Sequence, residues 1–486
     1  MNWIFWLEVL YVILTILVCL WIIYETETTN KTLAYLLLAI FVPFLGTIFY
    51  FAFGVNYRKR KIYSKKLHAN LEMSVRIQKQ VVQHSADMID GCNDIEDQEK
   101  QLMYMLLNDT QSPVSNRNDV KVLLNGEEKF PEVIASLKAA KKHIHIEYYI
   151  YENDEIGREI EEILIQKVKE GVEVRFIYDD FGSRSIRKNI VKRLKANGVQ
   201  AFPFMRVFFI LFANQVNYRN HRKIIVIDGT TAFIGGVNVS DRYINKDENK
   251  DKTKYWRDMH LRLDGPSVYY LQHIFLCDWN FCANEQMEPE LKYFPKEALS
   301  NNYGKKWVQI AASGPDSTTP IILYSLVKAI SMAKKEVIIT TPYFIPGESL
   351  IESIVIAALS GVEVHILVPS NSDTLFVNSA ARSYYRELLR SGVRIYEYNK
   401  GFIHTKSMVV DGEIAIVGTA NMDIRSFDLN FEVNAIVYDN AVAKQVRDAF
   451  LEDLQNANEI QYKDWMKRPV LRVLLEKIAR LLSPML

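Results

Sequence analysis

The chain has 486 residues, more than one core of ordinary size holds, so two or more domains are expected. Its formal net charge is only +1, so there is no overall basic field of the kind that indicates nucleic-acid binding. A disulfide framework and a zinc site are both disfavoured, because no CxxC or Cys/His cluster includes any of the four cysteines, Cys19, Cys92, Cys277 and Cys282.

The chain begins with two apolar stretches. The first runs from Trp3 to Tyr24, interrupted mainly by Glu8, and the second covers about residues 32–53. Each has the roughly 20 apolar residues that a membrane-spanning helix needs. A secretory signal peptide would be shorter, follow a basic start and end at a small-residue cleavage site, and the first stretch meets none of these conditions. The sequence therefore predicts a two-helix transmembrane hairpin over residues 1–56.

The cations that flank this hairpin predict its orientation. The loop between the stretches holds one Lys and two Glu, whereas six cations follow the second stretch: Arg58, Lys59, Arg60, Lys61, Lys65 and Lys66. The positive-inside rule places this cluster and everything after it on the cytoplasmic side of the membrane. The same cations would lie against anionic lipid headgroups. A polar helical connector is expected over residues 57–115.

Beyond the connector the chain repeats itself. Residues 139–150 match residues 333–345, residues 170–174 match 360–364, and residues 197–199 match 391–393. In the two later matches a Gly-Val pair follows a helical pattern and opens an apolar strand. The alternation predicts two related α/β domains, residues 116–295 and 296–460, packed face to face. A C-terminal amphipathic helix is expected over residues 461–486.

Each half also carries the same polar motif, which reads H-x-K-x-x-x-x-D followed after six residues by G-x-x-N. The first copy comprises His221, Lys223, Asp228 and Asn238, and the second comprises His404, Lys406, Asp411 and Asn421. On a strand the His and Lys of one copy project to the same face, while the Asp falls on the opposite parity. The two aspartates are therefore predicted to brace the fold, and the glycines let the chain bring each Asn back beside its His and Lys.

If the two halves face each other, these groups surround one point with a set suited to a phosphodiester and with no metal ligand set, so no cofactor is expected. Lys and Asn donors stabilise charge on the non-bridging oxygens. One His can attack phosphorus, while the other protonates the departing alkoxide and then accepts the proton of the incoming hydroxyl. Asp258 and Glu432 are the candidates for a carboxylate behind each His. A lone His would more often be an ordinary strand-edge residue, but two copies at identical spacing disfavour that interpretation.

With these motifs the sequence resembles the phospholipase D superfamily, and within it the bacterial cardiolipin synthases. The similarity extends over nearly the whole chain and includes residues 53–58, 220–223, 255–258, 342–346, 418–426 and 430–432. The resemblance implies a reaction between two phosphatidylglycerol molecules that yields cardiolipin and glycerol without metal or nucleotide. It also implies that Asp228 and Asp411 count with the catalytic set. Finally, it suggests His221 as the phosphatidyl carrier and His404 as the acid/base, although the near-symmetry of the motifs leaves this assignment open.

Weaker signals accompany the motif. Arg425 and Ser426 could contact a lipid phosphate, or Arg425 could form a surface ion pair. The apolar run at 207–212 is either a buried strand or a lip that enters the bilayer, and the helix after Pro469 either packs on the second domain, the preferred interpretation, or lies among the headgroups.

The partners expected are phosphatidylglycerol, other anionic lipids and the membrane, with no nucleic acid; the sequence does not indicate an oligomeric state. Alternative functions are phospholipase D hydrolysis, phosphatidyl transfer to a different alcohol, or an inactive lipid-binding scaffold. The balanced charge and the bilayer anchor disfavour a nuclease.

Overall fold

The computed structural model describes residues 3–26, 29–51, 81–205, 218–245, 255–283, 285, 287, 290–371 and 374–481. The chain divides into two units. One comprises Met1–Lys65 and Val207–Asn217, and the other comprises Lys66–Arg206 and Tyr218–Leu486. The basic cluster at 58–66 and the apolar run at 207–212 lie outside the described residues, so the predictions about them stay predictions.

In the N-terminal unit, helix α1 (Trp3–Glu25) is the one described helix that is long and apolar enough to cross a membrane. The second apolar stretch instead forms two shorter helices, α2 (Thr29–Phe41) and α3 (Pro43–Phe49). They are separated at Val42, whose φ of −133° and ψ of 60° are not helical, and a proline cannot continue the hydrogen-bond ladder of a preceding helix. The rings of Tyr35 and Tyr50 pack 5.2 Å apart, so α3 folds back onto α2. The single second helix predicted over residues 32–53 is thus replaced by a bent pair.

The larger unit begins with helical residues 81–90 and helix α4 (Asp97–Thr110), followed by a first α/β lobe. The strands of this lobe are β1 (Ser115–Leu124), β2 (His143–Tyr148), β3 (Glu173–Asp179), β4 (Gln200–Phe204), β5 (Arg219–Asn220), β6 (Lys223–Ile227), β7 (Thr231–Gly235), β8 (Trp256–Arg257) and β9 (Met259–Asp264). Its helices are α5 (Asn125–Ala139), α6 (Glu155–Lys169), α7 (Ile190–Ala196) and α8 (Val268–Ala283), with 3₁₀ turns at Arg184–Ile186 and Asp241–Tyr243. The sheet order is β1-β9-β7-β6-β2-β3-β4, in which β2, β3 and β4 are parallel.

The second lobe repeats this plan. Its strands are β10 (Lys306–Ser313), β11 (Glu336–Thr340), β12 (Phe344–Ile345), β13 (Glu363–Pro369), β14 (Arg394–Tyr398), β15 (Phe402–Ile403), β16 (Ser407–Val410), β17 (Ile414–Gly418), β18 (Met422–Asp423), β19 (Asn430–Tyr438) and β20 (Ala457–Glu459). Its helices are α9 (Lys296–Ser300), α10 (Ile321–Met332), α11 (Glu348–Leu359), α12 (Leu375–Arg390), α13 (Ile424–Asp428), α14 (Asn440–Leu454), α15 (Tyr462–Trp465) and α16 (Val470–Leu481). The order β10-β19-β17-β16-β11-β13-β14-β20 matches the first lobe strand for strand, with β20 added. The repeated mixed α/β fold predicted from the duplication is confirmed.

The Gly-Val pairs of the repeat have the local role that the sequence predicted. Gly171 follows α6 with a φ of +87°, and Gly361 follows α11 with a φ of +95°. This left-handed conformation ends a helix at little cost only for glycine. The valine that follows then leads into the next parallel strand, β3 or β13.

Three strand pairings join the lobes and position the site. Antiparallel pairing of β1 with β10 makes the two sheets continuous. In addition, β5 pairs in parallel with the start of β19, and β8 pairs in parallel with β15. These two short pairings occupy equivalent positions in the repeat. In each pairing, one strand leads directly into a motif histidine and the other leads into a candidate carboxylate. The central strands β6, β16, β17 and β19 are buried along their whole length, as the mostly apolar stretches 224–227 and 407–410 predict for β6 and β16.

Candidate active site

The two motif copies meet at one cavity of about 370 Å³ in the larger unit. His221 and His404 both line it, and so do Asn238 and Asn421. The histidines are held there by the backbone of the opposite lobe. His221 donates its backbone N–H to the carbonyl oxygen of Phe431 at 2.9 Å, and His404 donates its own to Arg257 at 2.6 Å. The pairings of β5 with β19 and of β8 with β15 therefore place both imidazoles.

Each histidine also bonds a buried carboxylate of the other lobe. The Nδ1 atom of His221 lies 3.0 Å from Oε2 of Glu432, and the Nδ1 atom of His404 lies 2.7 Å from Oδ2 of Asp258. An ionised carboxylate only accepts hydrogen bonds, so each Nδ1 carries the proton and each Nε2 keeps its lone pair. The sequence identified both acids as candidates but did not reveal that each one serves the histidine of the opposite half.

The carboxylates are themselves held in place. Glu432 accepts hydrogen bonds from the Thr419 hydroxyl at 2.5 Å and from the Asn430 amide at 3.1 Å. Asp258 accepts the backbone N–H of Met259 at 2.7 Å. A Cβ atom at Gly236 would lie 2.1 Å from Oδ1 of Asp258. The backbone can approach this carboxylate so closely only because residue 236 has no side chain. This close approach is the physical reason for a glycine at that position.

The motif lysines make the same contact twice. Lys223 donates from Nζ to the carbonyl oxygen of His221 at 2.8 Å, and Lys406 donates to that of His404. Burial lowers the pKa of Lys223 to about 7, with Glu432 opposing the shift and Lys406 adding to it. Burial likewise lowers the pKa of Lys406 to about 8, against the opposing effects of Asp258 and Glu432. Both ammonium groups thus titrate within reach of neutral pH.

The two imidazoles are neutral at pH 7 when the cavity is empty of anions. Burial lowers the pKa of His221 to about 4, with Glu432 opposing and Lys223 adding to the shift. Burial and the neighbouring Lys406 lower the pKa of His404 to about 3, although Asp258 acts in the opposite direction. A phosphate anion placed between the two rings favours their protonated forms. An imidazole that has to donate a proton is therefore charged only when an anionic substrate is present.

Asp228 and Asp411 do not line the cavity; they lie in the turns that follow β6 and β16. Each has a φ of +53° in the turn after its motif strand, where Asp is tolerated better than most residues. Each carboxylate accepts three backbone N–H groups at 2.7 to 2.9 Å, from residues 141–143 in the first lobe and 334–336 in the second. They clamp the motif hairpins onto the starts of β2 and β11, which is a bracing role. Because each Asp lies in the turn beyond its strand, strand parity does not determine its position. Their membership of the catalytic set stays a prediction from the resemblance.

The remaining predicted residues separate into two groups. Asn238 donates to the Tyr243 hydroxyl at 2.7 Å, and Asn421 donates to Asp423 at 3.2 Å, so both amides are oriented at the cavity wall. Arg425 also lines the cavity. Ser426 does not line it; it is fully buried, and its hydroxyl accepts the backbone N–H of Asn421 at 3.2 Å. It therefore orients Asn421.

Aromatic side chains that the sequence did not assign to the site complete the cavity. The ring of Tyr149 packs edge-on to His221 with centroids 4.8 Å apart, and Trp256 lies 5.5 Å from His404. Tyr149 and Tyr343 both line the cavity, and Tyr343 occupies the place in the repeat that Ile150, another lining residue, has in the first lobe. Among the described residues, no group of three or more His, Cys, Asp or Glu side chains is arranged to hold a metal ion.

Comparison with known proteins gives consistent matches along the chain. Residues 133–258 and 326–454 match the family described as "Cardiolipin synthase, PLD-like domain", and residues 13–54 match "Phospholipase_D-nuclease N-terminal". The cardiolipin synthase of Halalkalibacterium halodurans is 42% identical over 99% of this chain and 93% of its own length. The major cardiolipin synthase ClsA of Bacillus subtilis is 39% identical over 98% of each chain. The crystal structure of phosphatidylserine synthase from Haemophilus influenzae superposes with a TM-score of 0.59 over 79% of this chain and 100% of that one, at 16% identity, which indicates a common fold alone.

Proposed function

This chain belongs to the cardiolipin synthase family with paired phospholipase D-like domains, and from that membership we propose that it joins two phosphatidylglycerol molecules to give cardiolipin and glycerol. It is a phosphatidyltransferase of phospholipid biosynthesis. The observation that best supports the chemistry is the pair of imidazoles in one cavity, each with Nδ1 bonded to a buried carboxylate and Nε2 left for reaction. The charge in the transition state would be met by the two ammonium groups and the amides of Asn238 and Asn421.

The proposed reaction has two steps. In the first, Nε2 of His221 attacks the phosphorus of the donor lipid, and the bond from phosphorus to the glycerol oxygen breaks. Protonated His404 gives its proton to that oxygen, so free glycerol leaves. In the second, the primary hydroxyl of the acceptor lipid gives its proton to His404 and attacks the phosphohistidine. The bond from phosphorus to His221 breaks, cardiolipin forms, and both side chains return to their starting states.

The full-length protein in phosphatidylglycerol vesicles tests this function. We expect equal amounts of cardiolipin and glycerol without added CTP or divalent cation. Phosphatidic acid as the main product would instead select phospholipase D hydrolysis. Strict dependence on a nucleotide-activated lipid would contradict the proposal.

The assignment of the two histidines has its own test. Both His221→Ala and His404→Ala should abolish turnover. A covalent lipid adduct that accumulates on the His404→Ala protein, and not on the other, is expected if His221 is the nucleophile. An adduct found only on the His221→Ala protein would reverse the two roles.

We also propose that both apolar stretches enter the bacterial cell membrane as two spans, with residues 116–295 and 296–460 as catalytic domains in the cytoplasm. Support comes from the length of α1 and from the cations at 58–66. Since the second stretch is bent at Val42, the number of spans needs a direct test. With two spans, an epitope at the N-terminus is protected from protease added to intact spheroplasts. Cleavage of that epitope, with the catalytic domains still protected, would mean a single span.

A further inference from the structure

Arg219 lies in the cavity as a buried cation whose two Nη atoms have no acceptor among the described residues. It is the first residue of β5, it is 3% exposed, and it lines the cavity two residues before His221. None of the described residues accepts a hydrogen bond from either of its Nη atoms. A buried guanidinium normally has its donors satisfied, since leaving them unpaired is costly. Such a group is expected to have an anionic partner that arrives with the substrate.

The surroundings of Arg219 hold it in place, but none of the described residues accepts a hydrogen bond from its Nη atoms. The carboxylates of Asp179 and Asp180 favour its charged form and oppose the larger effect of burial, which lowers its pKa. Its guanidinium carbon lies 4.6 Å from the ring centroid of Phe181. The nearby carboxylate of Asp179 accepts backbone N–H groups, from Phe181 and Gly182 at Oδ1 and from Asn220 at Oδ2. Asp179 therefore braces the loop on which the arginine packs.

A second guanidinium lies at the same end of the cavity. Arg425 lines the cavity, and it is close enough to lower the pKa of Arg219, an effect smaller than that of burial itself. Both arginines also interact electrostatically with Tyr149, the residue that packs on His221. Two like charges are thus kept beside the first histidine, which is a stable arrangement when an anion lies between them.

The repeat shows that this cationic pair belongs to one side of the cavity. The residue two positions before His404, where the second lobe would carry the equivalent of Arg219, is Phe402, and its ring packs 5.9 Å from that histidine. The equivalent of Arg425, four residues after the motif Asn, is Arg242, and it is paired with Glu152 at 2.7 Å. The two catalytic motifs are nearly symmetric, but the walls beside them are not. Two residues before the motif histidine, the first half carries a guanidinium and the second an aromatic ring. Arg242 also lines the cavity, but its charge is paired with Glu152.

We propose that Arg219 and Arg425 form a second anion subsite that binds the phosphate of the acceptor phosphatidylglycerol, while the donor phosphate lies between the two histidines. This inference rests on the proposed function, because only a two-lipid reaction brings a second phosphate into the cavity. In the product the two phosphates are joined through one three-carbon bridge, so the second anion site must adjoin the first. Arg219 meets this requirement, since two residues of extended chain span only about 7 Å.

The test compares two reactions of one enzyme that differ in the acceptor. Cardiolipin synthesis uses an acceptor with a phosphate, whereas exchange of radiolabelled glycerol into phosphatidylglycerol uses an acceptor without one. Both reactions share the donor lipid and the covalent step. Arg219→Gln should lower the ratio of synthesis to exchange by about 10-fold or more, since a hydrogen-bonded charge contributes roughly 1.5–3 kcal/mol. The rate of exchange itself should stay within about twofold of wild type.

Two further variants keep the result interpretable. Arg184→Gln is the matched control, because Arg184 is exposed, packs 5.9 Å from the same Phe181 ring and does not line the cavity; its ratio should be unchanged. Arg219→Lys keeps the charge and should restore part of the ratio at an unchanged melting temperature. Equal loss of both reactions in Arg219→Gln, or no loss in either, would overturn the subsite. If the wild-type protein exchanges glycerol but makes no cardiolipin, the proposed function itself fails.

Discussion

At the scale of single residues, the motif lysines make activity depend on pH in a defined direction. The pKa values of Lys223 and Lys406 are about 7 and about 8, so their ammonium groups are lost as the pH rises through this range. We expect kcat/KM, which reports the free enzyme, to fall above pH 7 to 8. A bound phosphate stabilises the ammonium form, so the alkaline limb of kcat should lie at least about one pH unit higher. Coincident limbs in profiles measured between pH 6 and 10 would contradict this account.

Glu432 and Asp258, each bonded to the histidine of the opposite lobe and here called the crossed carboxylates, should control the tautomer of that histidine. In Glu432→Gln or Asp258→Asn, the amide can donate to Nδ1 and drive the imidazole proton to Nε2, where a lone pair is needed. Turnover should fall by about 10²- to 10⁴-fold with little change in melting temperature. Glu387→Gln, which alters an exposed glutamate of the second lobe, is the control and should behave as wild type. Activity within tenfold of wild type in either crossed variant would show that the carboxylate does not set the tautomer.

Replacing a clamping aspartate should reduce the stability of the protein more than it reduces kcat. Asp228→Ala removes the acceptor of three backbone N–H groups and places a less tolerant residue at a φ of +53°, so a loss on the order of 2 kcal/mol or more is expected. Asn tolerates this conformation and keeps one acceptor, so Asp228→Asn should lose less. The apparent melting temperature should decrease in the order wild type, Asn, Ala, while kcat at low temperature changes only a few-fold. A large loss of kcat at an unchanged melting temperature would instead favour the catalytic role that the resemblance implies.

Sequence reasoning was most successful where spacing alone fixes geometry. The repeated spacing identified the histidines and asparagines that meet at the cavity, and both acids behind the histidines were identified as candidates. Strand parity did not apply directly, because the histidines lie before β6 and β16 and the aspartates lie in the turns after them. The sequence could not reveal that Glu432 bonds His221 and Asp258 bonds His404, because those contacts depend on pairings between strands far apart in the chain. The bonded residues are 211 and 146 positions apart. The unpaired state of Arg219 was equally hidden, since it is a property of the surrounding packing.

At the scale of elements, the second apolar stretch marks the limit of hydropathy. Its length and composition predict a spanning helix, yet the chain breaks before Pro43 and folds back. The apolar content of a segment indicates whether it prefers a membrane or water. It does not indicate where the backbone of the segment bends. A proline within the stretch was the available sign.

The C-terminal helix α16 packs with an unexpected face. Its buried Glu476 pairs with Arg468 at 2.7 Å, while an apolar stripe is 46–68% exposed: Leu471, Leu474, Leu475 and Ile478. The preferred interpretation, packing on the second domain, holds for the face of the helix that carries Glu476 and Ala479. α16 contacts α12, and Val377 of α12 lines the cavity, so this stripe lies next to an element of the site.

We therefore expect the stripe of α16 to lie in the headgroup layer, with its Arg and Lys residues against anionic lipid. A photoreactive diazirine residue at Leu474 of the full-length protein should crosslink phospholipid in phosphatidylglycerol vesicles. The same residue at the exposed Lys463 should not. Equal lipid labelling at the two positions, or none at Leu474, would be inconsistent with this placement.

At the scale of the whole molecule, the duplication and its division into two α/β halves were predictable because repeats survive in the sequence. The joining of the two sheets through β1 and β10 was not predictable, since the sequence of an edge strand does not specify which strand it pairs with. This joining suggests that the halves can assemble from separate chains.

We expect residues 1–295 and 296–486 to be inactive when expressed alone in cells that lack cardiolipin, and to restore cardiolipin when expressed together. The reason is that each half holds a histidine whose carboxylate is on the other. Co-expression with the Glu432→Gln form of the second half should fail, which tests whether reassembly uses the same contacts. Cardiolipin made by either half alone would refute this dependence.

Because each histidine is bonded to a carboxylate of the other half, the site also bears on the ancestry of the protein. A single-copy forerunner of either half would have carried its imidazole and its carboxylate too far apart to help each other. Such a protein would have worked only as a homodimer, in which the carboxylate of each chain bonds the histidine of the other. Gene fusion would then have preserved this mutual contact and allowed the residue two positions before each histidine to diverge, to Arg219 in one half and Phe402 in the other.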